Sequence, residues 1–278
     1  MAPSLLITLR EGLEAALIIG IILAYLAKIG YSSMRSAVWI GTGLAIAMSL
    51  LAGASIFFTA GGFEGRAEEL FEGTAMFVAA GVLTYMIFWM RRQAINIRRH
   101  LQAQVDTAVE SGSRLALGLL AFVAVGREGI ETALFMFAAT KTATPVAAAA
   151  GGLLGLGAAV VLGYLLYQGT YRLNLRAFFN VTSVLLLFFA AGLVAHGIHE
   201  FHEAGLIAPV IEHVWDINWL LDERSTLGSF LKALLGYNGN PSLVEVLSYL
   251  GYLTIVGWGY FRPPTPAELR PSRERAGA

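Results

Sequence analysis

Two five-residue strings repeat one pattern inside apolar stretches: Arg10-Glu11-Gly12-Leu13-Glu14 and Arg127-Glu128-Gly129-Ile130-Glu131. An ionised side chain near a bilayer centre costs about 2.5–3.5 kcal/mol on insertion scales, so six of them point to a function. Residues three apart share a helix face, so Glu11 with Glu14, and Glu128 with Glu131, each project two carboxylates together. Four carboxylates converging from two helices would make an all-oxygen site for a hard cation. The structural alternative is salt bridging, since Arg10 reaches Glu14 and Arg127 reaches Glu131 at four-residue spacing. Pairing alone needs one carboxylate per guanidinium, and each string has one in excess. The arginines then act as counter-charge or as a gate. Gly12 and Gly129 weaken a helix by about 1 kcal/mol each relative to Ala. They either let helices approach closely or permit a local break that frees carbonyls.

The elements that must position these strings follow from composition. The 278 residues are 56% hydrophobic and 14% charged, with a mean hydropathy of +0.66. Such values belong to a multi-spanning membrane protein. Net charge is zero, so it names no partner, and nothing suggests nucleic acid. Cysteine is absent, which excludes thiolate ligands, iron–sulfur clusters and disulfides. The first apolar stretch has no basic leader and holds the first charged string, so it is expected to remain as a span.

A span needs about 20 mainly apolar residues. Seven segments qualify: Leu5–Ala27, Ser36–Ala60, Leu70–Met90, Leu115–Ala139, Pro145–Tyr167, Ala177–Ala195 and Leu243–Phe261. With the N-terminus outside, thirteen of the nineteen Lys and Arg fall on the inner side and four on the outer, while Arg10 and Arg127 lie within spans. That bias predicts N-out and C-in. The acidic residues gather outside, where Glu64, Glu68 and Glu69 would form a cation-concentrating vestibule.

The two strings lie on the first and fourth spans, three spans apart, so their helices run in opposite directions. The expected architecture is an all-α integral membrane protein with an inverted three-plus-three repeat plus one extra helix, its site near the midplane. Repeat one covers about 1–92 and repeat two about 113–205. Phe71-Glu72-Gly73-Thr74 and Phe179-Asn180-Val181-Thr182 open the third span of each half. An outer loop at 206–242 carries Trp215, Trp219 and an apolar run at Phe230–Leu235 expected to form an amphipathic helix along the membrane surface. The seventh span, 243–261, completes a permease domain at 1–262, and the Pro-rich cytoplasmic tail at 263–278 is expected to be disordered. Residues 97–112 read as a polar helical connection on the inner side. Trp89, Tyr171, Trp258 and Tyr260 are read as interface anchors.

A second cluster stands at the outer end of the sixth span. His196, His199 and Glu200 could form a mixed nitrogen–oxygen metal site, or simply a polar helix end. Glu72 is a candidate outer-rim ligand. No Gly-x-x-x-x-Gly-Lys-Ser/Thr string occurs, so ATP-driven transport by this chain alone is not expected.

The doubled Arg-Glu-Gly-x-Glu string resembles the oxidase-dependent iron transporters, the high-affinity iron permeases of fungi and bacteria. The likeness extends to Phe71-Glu72-Gly73, to Leu235-Gly236-Tyr237 and to Pro241-Ser242, and so covers nearly the whole chain. It implies a transporter, not an enzyme, that moves iron inward across the cytoplasmic (inner or plasma) membrane of a bacterium. By that match Glu11, Glu14, Glu128 and Glu131 are the metal ligands, with Arg10 and Arg127 accessory. It also implies a separate oxidase or periplasmic iron-binding partner, with iron as substrate and no resident cofactor.

Four carboxylates suit a trivalent hard ion, so the expected cargo is ferric iron. The alternatives are ferrous iron or another divalent cation on the same scaffold, or a carboxylate-based proton/cation antiporter. An intramembrane metallo-oxidase is disfavoured because the Glu-x-x-His pattern of di-iron bundles is missing: Leu17 and Leu134 stand three residues beyond Glu14 and Glu131.

Overall fold

A computed structural model describes residues 1–60, 64–93, 97–142, 144–168, 174–208, 210–223 and 225–262. The tail expected to be disordered lies outside the described residues, as do Tyr171, Arg172 and Arg224. Every regular element among the described residues is helical. The long helices are α1 (Ala2–Lys28), α2 (Arg35–Ala60), α3 (Arg66–Gln93), α5 (Arg114–Thr142), α6 (Pro145–Tyr167), α7 (Leu175–Glu203) and α9 (Leu243–Phe261). Two shorter ones, α4 (Ile97–Glu110) and α8 (Thr226–Leu235), lie between them.

The seven segments read as spans therefore each fall on a long helix. Among the described residues, four helices are long and apolar enough to cross a membrane by length and composition: Ser32–Thr59, Arg66–Met90, Pro145–Tyr167 and Ala177–Glu203. In α1 and α5 the motif places three charges within five residues. In α9 the tyrosines, glycines and tryptophan dilute an otherwise apolar run.

Local chemistry sets the helix ends. Thr144 caps α6 by accepting from the Ala147 amide, and Pro145 follows at the first helical position, where a missing N–H costs nothing. Asn174 caps α7 and Ser225 caps α8 in the same way. The last turn of α8 closes on Gly236 in the left-handed region at φ 68°. That glycine presses backbone to backbone against Gly192 of α7, which leaves no room for a side chain on either. α8 thus packs on the helix bundle through Leu234, while Leu227 and Phe230 stay exposed.

The helices pair in a definite order. α1 packs most extensively on α6 and α2 on α5, while α3 lies along α7 and α7 along α9. Two apolar cores result. One joins α3, α7 and α9 through Met76, Leu83, Met86, Leu186, Phe189 and Leu193, with Ile7 and Phe135 contributed by α1 and α5. The other lies beyond the motif on the C-terminal side of α1, where Ile18, Ile22 and Leu26 meet Val38, Leu117 and Ala121. The amphipathic α4 inserts Leu101, Val105 and Ala108 into that second core, and Tyr25 of α1 donates to Asp106 Oδ1 at 2.8 Å.

Candidate metal centre

Both motif helices run unbroken through their glycines. Gly12 faces the Ala159 methyl of α6, and Gly129 faces the Ser49 side chain of α2, each closer than a Cβ would allow. Of the two roles open to these glycines, close helix approach is the one the backbone adopts.

α1 and α5 also touch each other. Across that contact Glu11, Glu128 and Glu131 bring carboxylate oxygens within 4.8 Å of one another. Glu11 and Glu128 are buried and Glu131 nearly so. One oxygen of each, Glu11 Oε2, Glu128 Oε2 and Glu131 Oε2, is enclosed with no hydrogen-bond donor among the described residues. Buried acceptors are normally satisfied. Three neighbouring carboxylates, each with an unpartnered oxygen, form a place a cation would complete.

Glu14 stands outside this group. Its Oε1 lies 3.4 Å from Arg10 Nη2, within ion-pair range but misaligned for a hydrogen bond. Arg10 also approaches Glu11 Oε1 at 3.2 Å and donates to Met86 Sδ at 3.2 Å. In the second motif the Arg127 Nε donates to Glu131 Oε1 at 2.8 Å, and its guanidinium lies 4.2 Å from the centre of the Trp89 ring. A cavity of about 450 Å³ between α2, α3 and α5 reaches Arg127 and Glu131, lined by Met48, Val82, Ile130 and Leu134. Trp89, read as an interface anchor, instead stacks on a motif arginine. Tyr260, read likewise, is buried in the α3–α7–α9 core.

The sequence model of the Iron permease FTR1 family matches residues 1–261. This chain belongs to that family. It is 42% identical over 261 residues to the ferrous iron permease EfeU of Escherichia coli O6:H1, covering 93% of this chain and 95% of that protein. It is 40% identical over 261 residues to the ferrous iron permease EfeU of Yersinia pestis, covering 93% of each. No solved structure matches it. A member of this family is a multi-pass membrane transporter and not an enzyme, with iron as cargo and not as a resident cofactor.

The remaining candidates lie towards the other end of α7. Glu72 is buried in the second turn of α3, where its neighbour Gly73 meets Phe201 and Gly197. Phe77 and Phe201 stack there at 5.5 Å. His196 directs Nδ1 at the Gly192 carbonyl, 2.9 Å away. His199 Nδ1 lies 3.2 Å from Oε1 of Glu245 in α9. The sequence reading passed over Glu245, yet Ser242-Leu243-Val244-Glu245 is a capping box and carries the one acidic residue of its apolar stretch. Ser242 Oγ donates to Glu245 Oε1 at 2.9 Å and accepts from the Glu245 amide at 3.3 Å.

Proposed function

We propose that this chain carries ferrous iron inward across the cytoplasmic membrane, handing the ion through a carboxylate site between α1 and α5. The convergence of Glu11, Glu128 and Glu131 from two antiparallel motif helices carries this reading. The relatives at 40–42% identity are named for ferrous iron. Charge favours the same ion over the ferric form: four motif carboxylates less two motif guanidiniums leave two negative charges, which a divalent cation neutralises. An ion with one further charge would leave a net charge buried in a low-dielectric site.

The chain is read as seven spans, N-out and C-in, with α1, α2 and α3 related to α5, α6 and α7 as an inverted repeat and α9 added. Two features support this. The α1–α6 and α2–α5 pairings exchange under that relation. So do the contacts of Gly12 with Ala159 and Gly129 with Ser49. The site then lies near the midplane, and alternating exposure of Glu11, Glu128 and Glu131 to the two sides moves the ion. A separate oxidase or periplasmic iron-binding protein would deliver it.

Uptake into proteoliposomes tests this, with iron offered as ferrous ion under reductant and, separately, as a ferric chelate. Saturable ferrous uptake, lost in Glu11→Gln and Glu131→Gln, is the expected result. Uptake of the ferric form alone would overturn the choice of ion. Uptake indifferent to both substitutions would overturn the site.

A further inference from the structure

The transport site uses oxygen alone, whereas the histidines of α7 form a second constellation that transport through the motif leaves unexplained. His199 and His202 are three residues apart and share one helix face. Glu245 projects from the first turn of α9 between them. Its Oε1 lies 3.2 Å from His199 Nδ1 and 3.9 Å from His202 Nδ1.

Glu245 is held in place from several sides. Its side chain is 5% exposed, Ser242 fixes Oε1, and Asn238 Nδ2 donates to Oε2 at 2.7 Å. His202 is 9% exposed, and its Nε2 has no hydrogen-bond partner among the described residues. An imidazole that deeply buried ordinarily bonds through both nitrogens. His199 is 49% exposed, so the cluster opens to solvent on that side, where Glu203 lies 3.4 Å from its Nε2.

We propose that Glu245, His199 and His202 form a second metal site, selective for divalent transition metals, at the end of α7 remote from its Asn174 cap. The donor chemistry sets the class of ion. Two neutral imidazoles and one carboxylate suit ferrous iron, cobalt or zinc, while calcium, magnesium and ferric iron prefer all-oxygen sites. A cation at Glu245 Oε1 takes the place of the proton shared between Glu245 and His199, with His199 Nδ1 and a ring nitrogen of His202 as its other ligands. Asn238 and Ser242 orient the carboxylate, as outer partners do in metal sites. Binding therefore competes with protons at the two histidines. The site ties the start of α9, the 238–242 segment and the end of α7 to one ion. It is distinct from the motif carboxylates and needs no transport to be occupied.

The test is direct metal binding to the full chain in detergent, in a Glu11→Gln/Glu131→Gln background that silences the carboxylate site. Cobaltous ion serves as probe, followed by titration calorimetry and by the rise in Tm that it produces. One equivalent should bind. His202→Gln and His199→Gln should each weaken it at least about tenfold and abolish the rise in Tm. His199→Gln alters a half-exposed side chain, so it keeps the proposal testable should His202→Gln fail to fold. A cluster of purely structural importance would lower Tm equally with and without cobalt. That result, or unchanged affinity in both variants, or no binding in the background protein, overturns the site. Because the readout is binding, loss of this site and loss of the transport reading are distinguished.

Discussion

Arg10 and Arg127 occupy the same position in two copies of one motif, yet Arg10 is completely buried while Arg127 is 35% exposed. Arg10 serves Glu11 and Glu14 and touches Met86. Arg127 serves Glu131, rests on Trp89 and borders a cavity. Any repeat relating the two halves is therefore broken at its centre, with one arginine locked and the other beside open volume.

That difference predicts unequal stability losses. Arg10→Gln leaves Glu11 and Glu14 buried without compensation and should cost about 3–5 kcal/mol. Arg127→Gln removes a partly exposed pair and a cation–π contact, together about 1–2 kcal/mol. Denaturant unfolding in detergent should rank Arg10→Gln clearly below Arg127→Gln. Equal losses would mean that Arg10 is not the sealed counter-charge its burial indicates.

The motif glycines predict a reversal of sign. In an open helix position Gly→Ala stabilises by about 1 kcal/mol. Here Gly129→Ala meets Ser49 and Gly12→Ala meets Ala159, so each should destabilise, by about 1–3 kcal/mol for overpacking. Ser49→Gly should restore much of the loss in Gly129→Ala, giving a strongly non-additive pair. Additive effects would show that α2 and α5 are not pressed together at that point.

The absence of cysteine makes the placement of α4 measurable without background. A single cysteine at Val105, which is fully buried, should react with a thiol reagent at least about tenfold more slowly than one at the exposed Gln104. Equal rates would place α4 off the α1–α5 core. Tyr25→Phe, which loses the bond to Asp106, should speed the reaction at position 105.

Much of this arrangement was legible in the sequence because charges in apolar stretches have so few explanations. The doubled string located both motif helices and their facing carboxylates, and Pro145 marked a helix start. What escaped was set by helix rotation and tertiary contact. Spacing made Glu14 as good a ligand as Glu11 and could not show that Glu11 is the one that joins Glu128 and Glu131 within 4.8 Å. His199 was read with His196 and Glu200, and spacing along the chain could not show that Glu245, 46 residues away, also lies against it. Trp89 looked like any aromatic at a span end until α3 and α5 were brought together.

The segment between α7 and α9 carries the pH prediction. Ile217 and Val214 amides donate to the carbonyls of Gly239 and Pro241, and Glu223 pins the same stretch. Its Oε2 accepts from Lys232 Nζ at 2.7 Å and its Oε1 from the Gly239 amide at 2.7 Å. Partial burial pushes the Glu223 carboxyl up, but these two donors outweigh it and hold the group below the ordinary glutamate value. A depressed folded-state pKa contributes stability that is complete above the unfolded value, about 4.3, and is lost as pH falls through the folded value beneath it. The loop should therefore stay closed from neutral pH down to about 5 and loosen on further acidification. Hydrogen exchange of the Gly239 amide, read at several pH values and corrected for intrinsic rate, should show protection falling only in that acid window. Glu223→Gln should show the weakened protection already at neutral pH and lose the acid transition. If protection is the same in both proteins at every pH, Glu223 does not hold the loop.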